Sequence, residues 1–147
     1  MDALTIPGTV LGAALRFTPP EDGKPAMTVE GLFAGQYTTV LLSADWLLPL
    51  AAWFAGEAQP AALGDRPGTL YGASLAVHGD ETATVWNTYT WARLECLTPY
   101  GDARVAIGPR GKEYGTSVLL PPEGRQSAAA WLRRTDAEDW TPRTATA

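Results

Sequence analysis

The chain has 147 residues, 46% of them hydrophobic and 18% charged, with a formal net charge of −5, a size that suits one domain with a real core. A single cysteine (Cys96) and a single histidine (His78) exclude a disulfide scaffold and a cysteine- or histidine-built metal cluster. Fifteen glycines, twelve prolines and six tryptophans indicate a strand-and-turn protein, and the acidic total counts against nucleic acid as a partner.

At the amino end, Met1 to Gly12 lacks a basic leader pattern, and the longest apolar run, Trp46 to Ala55, contains Pro49. It is too short for the roughly 18 residues of a membrane span. The expectation is a soluble cytoplasmic protein without a membrane partner.

Thr9 to Phe17 has strand character and stops at Thr18-Pro19-Pro20, before a turn over 21–25. Met27 to Ala34 alternates Met27 and Val29 against Thr28 and Glu30, and Tyr37 to Ser43 is a third β-rich run. A helix follows between Asp45 and Gly56, with Pro49 in its first turn and Gly56 at its carboxyl end. Its stripe of Trp46, Leu50, Trp53 and Phe54 has core-facing spacing.

After a Pro/Gly/Ala-rich linker, Leu70 to Val77 and Thr84 to Thr98 form a strand pair around the turn at His78 to Glu81. In the second strand, Ala92, Leu94 and Cys96 read as the buried face, which leaves Tyr89, Trp91 and Arg93 on the open face. The order is β-β-β-α-β-β, that of a mainly β, five-stranded OB-fold barrel with one helix between strands three and four. Beyond it, Val105 to Ile107, a turn at Gly108-Pro109-Arg110-Gly111 and Thr116 to Leu120 suggest an added hairpin. Gln126 to Arg134 suggests a short helix bearing Trp131. The division expected is an OB-fold domain over 1–99, a C-terminal extension over 100–135 and a flexible tail over 136–147.

Charge is unevenly distributed. Residues 1–97 carry four bases against ten acids, whereas 98–147 carry seven bases against six acids. Within Arg104 to Arg134 six bases face two acids, which is either surface decoration or an anion-facing segment.

Catalytic signatures are weak, and neither an enzyme nor a cofactor is expected. Gly72-Ala73-Ser74-Leu75-Ala76 lacks the second glycine of a nucleophile elbow. Gly111-Lys112-Glu113 lacks the hydroxyl residue a phosphate loop needs after its lysine. Binding signatures are stronger. Trp86, Tyr89 and Trp91 offer stacking surfaces, each worth roughly 1–3 kcal/mol per base. The alternatives for these aromatics are core cover, packing under the C-terminal segment or a dimer interface.

Leu11-Gly12-Ala13 followed by Leu15-Arg16-Phe17-Thr18-Pro19 and Ala26 to Gln36 resembles the amino-terminal part of bacterial single-stranded DNA-binding proteins, most of all those of the Deinococcus–Thermus lineage. Gly68 to Leu75 and Ala92 to Pro99 are similar to that family's fourth and fifth strands. The resemblance spans about residues 9–99. It implies an OB fold, sequence-independent binding of single-stranded DNA in replication, recombination or repair, and homo-oligomers (dimers or tetramers). Replication or repair proteins would be further partners. Trp86, Tyr89 and Trp91 would stack on bases, while Arg16, Lys24 and Arg93, with Arg104, Arg110 and Lys112, would contact phosphates. The acidic, aromatic Asp136 to Trp140 is followed by seven more residues, unlike the family's terminal acidic tip. The reading from another class is an OB-fold protein-interaction module without DNA affinity.

Overall fold

A computed structural model describes residues 2–10, 12–19, 25–31, 37–42, 46–57, 69–76, 84–96, 102–109 and 115–137; the side chains of 69–90, Cys96 and Pro109 lie outside that description. The chain is mainly β, with antiparallel strands and, among the described residues, two helices. In chain order these are β1 (Leu4–Pro7), β2 (Ala14–Thr18), β3 (Ala26–Glu30), β4 (Tyr37–Leu41), α1 (Leu47–Phe54), β5 (Thr69–Ala76), β6 (Thr84–Cys96), β7 (Ala103–Pro109), β8 (Thr116–Leu120) and α2 (Pro122–Ala137).

Every strand pairs with its neighbour in sequence, in the order β1 to β8. Only two registered pairs, Thr39↔Leu75 and Val40↔Ser74, join β4 to β5, so the sheet bends into two halves at that joint. The halves face one another, with β3 and β4 opposite β7 and β8. At the far ends, the Thr9 N–H donates to the Leu119 carbonyl at 2.8 Å. Among the described residues β1 and β8 share no ladder.

Alternation explains the core. Leu15 and Phe17 of β2, Met27 and Val29 of β3, Val105 and Ile107 of β7, and Val118 and Leu120 of β8 all point inward and are buried. Ile6 joins them from β1, and Ala92 and Leu94 from β6, in one continuous cluster. Inside the same curl the Thr38 and Thr116 hydroxyls meet at 3.0 Å across the two halves, which gives two part-buried polar groups a partner.

The helices cover this core together. In α1 the stripe of Leu47, Leu50, Ala51, Trp53 and Phe54 is buried, and Gly56 ends the helix at φ +79°, a conformation that glycine adopts without strain. Pro122 starts α2, where no intrahelical N–H bond is lost, and Glu123 and Arg134 sit at the ends their charges favour. Phe17 stacks on Trp131 of α2 at 5.2 Å between ring centroids and meets Phe54 of α1 edge-on at 6.1 Å. The Trp131 indole N–H is satisfied by the Asp2 carbonyl at 3.0 Å. Two tryptophans from two helices thus complete a core begun by the strands.

Several sequence expectations need adjustment. Among the described residues there are eight strands where five and an added hairpin are expected. The extra one, β1, has four residues and a single buried apolar position, Ile6, too little for a periodic signal. The hairpin expected after residue 100 is present as β7 and β8, but β7 runs through Gly108 to Pro109 rather than turning there. Proline is compatible with that place because it closes the strand instead of interrupting a central ladder. The C-terminal helix is longer than expected, 16 residues, and residues 103–132 contribute to the same core as the earlier strands. Among the described residues no helix is long and apolar enough to cross a membrane.

Candidate functional site

Outward-facing residues of β6, β7 and β8 line a groove of about 440 Å³. Strand alternation builds it. β6 presents Trp91, Arg93 and Glu95; β7 presents Arg104 and Ala106; β8 presents Ser117 and Leu119; and Val10 and Ala13 close one side. That side is held against β8 by the Thr9–Leu119 backbone bond.

Trp91 forms the floor. Its indole lies against Gly108, opposite it in the β6–β7 register, so closely that a Cβ there would come within 2.5 Å of the indole Cζ2. Gly115 lets β8 approach β7 closely, since a Cβ on it would come within 2.6 Å of the Ile107 carbonyl carbon and 2.7 Å of the Gly108 Cα. The missing side chain of Gly108 makes room for the ring. The Arg93 guanidinium lies over that ring, 4.7 Å from its centroid, a cation–π arrangement that fixes a flexible cation above an aromatic face.

This corrects the expected role of Trp91. It belongs to the face opposite Ala92 and Leu94, as alternation requires, yet only 5% of it is exposed. Alternation identifies a face but not what the neighbouring strand and the next arginine lay across it. The surface offered to a ligand is the half-buried Arg93 with its indole support, rather than a bare indole.

Arg104 stands opposite Glu95 in register, with 3.6 Å between Nη1 and Oε2 and both side chains about 45% exposed. Such a pair is worth about 0–1 kcal/mol, so Arg104 is held loosely. Arg16 is elsewhere. It lines a second hollow of about 370 Å³ on β2 to β4 with Thr18, Thr28, Tyr37 and Thr39, and there it is ion-paired with Glu30. The Thr28 and Thr39 hydroxyls share a 2.7 Å hydrogen bond on that face.

Of the nine residues picked out by sequence, the structure brings together Trp91, Arg93 and Arg104 and sets Arg16 apart. Trp86 and Tyr89 lie on the backbone of β6, but their side chains are outside the described set, as are Lys24, Arg110 and Lys112 entirely. No family model matches the chain, and no curated protein matches it.

The basic stretch from Arg104 to Arg134 divides by task. Arg125 is 4% exposed and directs its guanidinium to the carboxyl end of α1, Nε donating to the Phe54 carbonyl at 3.2 Å and Nη2 to the Trp53 carbonyl at 3.4 Å. There it meets the negative end of the helix dipole, adding a second donor to the Trp53 carbonyl, which also accepts from the Gly56 N–H at 3.0 Å. Arg133 pairs with Glu57, just beyond α1, at 2.5 Å. Two of the six bases therefore tie α2 to α1, and Arg104 faces the groove.

Sequence reasoning missed Glu95, Gly108, Gly115 and the Val10–Ala13 wall. Gly108 carries a usable signal, since it shares the parity of Arg104 and Ala106, but a Gly-Pro pair reads first as a turn. Among the described residues no group of three or more His, Cys, Asp or Glu could hold a metal ion.

Proposed function

We propose that the protein binds single-stranded DNA without sequence preference along the groove of β6 to β8. The observation that carries this reading is the Arg93 guanidinium placed over the Trp91 ring, 4.7 Å from its centroid, within an open groove. A guanidinium plane backed by an indole stacks on any nucleobase, because every base has a π-face. Arg104 at the groove's other wall supplies a phosphate contact, and Val10, Ala106 and Leu119 supply apolar surface for sugar and base. Trp86 and Tyr89, earlier in β6, are the further stacking residues of this proposal, and Arg110 and Lys112, between β7 and β8 in sequence, its further phosphate contacts.

The proposal includes relationship to the bacterial single-stranded DNA-binding family and an OB-type barrel. Three features support it: the three-stranded run β2–β3–β4 before α1, the β5–β6 pair after it, and the inward curl of the sheet. Assembly into dimers or tetramers, cytoplasmic location and contacts with replication or repair proteins follow from the same relationship, and no catalysis does. Arg16, in the hollow on β2 to β4, is left out of the groove's contact set.

The test is a titration of oligo-dT followed by tryptophan fluorescence. Binding quenches the signal at low salt, and affinity falls with salt at a slope near −0.7 per phosphate contacted. No quenching at low salt with micromolar protein refutes the reading and favours a protein-interaction module.

A further inference from the structure

The acidity of the chain is not spread evenly over its surface, because two of its acids sit on arginines that line hollows. Glu30 pairs with Arg16 in one hollow, and Glu95 pairs with Arg104 in the groove. Glu95 is itself a groove-lining residue, two positions beyond Arg93 on the same face of β6 and directly opposite Arg104 in the ladder. A phosphate approaching Arg104 must compete with a carboxylate already 3.6 Å from the guanidinium, and it meets a like charge inside the groove. With both side chains about 45% exposed, the pair opens at small cost, so the competition is finely balanced rather than prohibitive.

We propose that Glu95 acts as a built-in competitor for the DNA phosphate at Arg104 and so sets the groove's affinity low. This rests on the DNA-binding reading above. The consequence is weak, readily reversed binding at an arginine that is otherwise well placed, and it gives part of the acidic total a task within the site.

The experiment measures affinity for a labelled oligo-dT by fluorescence anisotropy for the wild type, Glu95→Gln, Arg104→Gln, the double variant and Glu123→Gln. Glu123 is exposed on the first turn of α2, outside the groove, and its variant controls for the change in net charge alone. Glu95→Gln keeps the shape of an exposed side chain, so the fold is expected to be intact, with circular dichroism as the check. The expected result is about a two- to fivefold tighter complex for Glu95→Gln, the range an exposed ion pair allows. The gain should disappear when Arg104 is also replaced and should be absent in Glu123→Gln. Unchanged affinity in Glu95→Gln, an equal gain in Glu123→Gln, or a gain that persists without Arg104 overturns the competitor role while the DNA reading stands. Absence of binding by the wild type and by every variant overturns both.

Discussion

Replacing Gly108 with alanine is the most direct test of how the groove is built. The added Cβ would lie 2.5 Å from Trp91 Cζ2, 2.8 Å from Cε2 and 3.1 Å from the Gly115 Cα, all closer than van der Waals contact, and the nearest atoms belong to a rigid ring. Trp91 is 5% exposed, so it has little open space into which to tilt. Overpacking of this kind costs about 1–3 kcal/mol, offset in part by about 0.5–1 kcal/mol that alanine recovers over glycine in a strand. The expected net destabilisation is about 1–2 kcal/mol, a fall of roughly 2–8 °C in Tm for a domain of this size. Urea denaturation of Gly108→Ala, Trp91→Leu and the double variant separates the clash from the backbone effect. In the Trp91→Leu background the penalty should shrink by more than about 0.5 kcal/mol, the size of coupling expected for residues in contact. An equal penalty in both backgrounds would refute the packing of this indole on Gly108, and with it the floor of the groove.

Other consequences follow from the helix pair. Arg125→Met preserves much of the side-chain volume but removes both donors to the α1 carbonyls; a loss of about 1.5–3 kcal/mol is expected in denaturant titrations, the scale of a hydrogen bond to a charged group. An unchanged midpoint would mean that the α1 end is satisfied without Arg125. Gly124→Ala should fail to give the gain of about 1 kcal/mol usual for alanine in a helix, because its Cβ would meet Ile6 Cγ2 at 2.8 Å. Thermal unfolding of Gly124→Ala with and without Ile6→Ala checks this, and the gain should return only in the second background.

Much of the architecture is legible in the sequence because it rests on local signals. The β-rich runs read over Thr9–Phe17, Met27–Ala34 and Tyr37–Ser43 overlap β2, β3 and β4, and the apolar stripe between Asp45 and Gly56 becomes α1 with Gly56 at its end. The long run from Thr84 becomes β6, with Ala92 and Leu94 buried as alternation demands. The groove was less legible. Arg93 and Arg104 are visible as candidates, but they lie in separate segments, and nothing local shows that the β6–β7 register sets Glu95 opposite Arg104. Arg125 illustrates the opposite error. In the sequence it is one more base in a positive stretch, yet it is buried, donating to carbonyls at the end of a helix 71 residues earlier.

By itself, the sequence determines that this is a mainly β chain with a single apolar helix in its middle and an excess of acid over base, since periodicity, turn residues and charge are properties of neighbouring positions. Only the tertiary structure decided what those charges and tryptophans do. It divides the basic stretch between a helix clasp and a groove wall, and it couples Glu95 to Arg104. It also lays Trp91 on a glycine beneath Arg93. These outcomes depend on strand register and on the curl that brings distant segments within a few ångströms. They are long-range pairings, and no residue's immediate neighbours specify them.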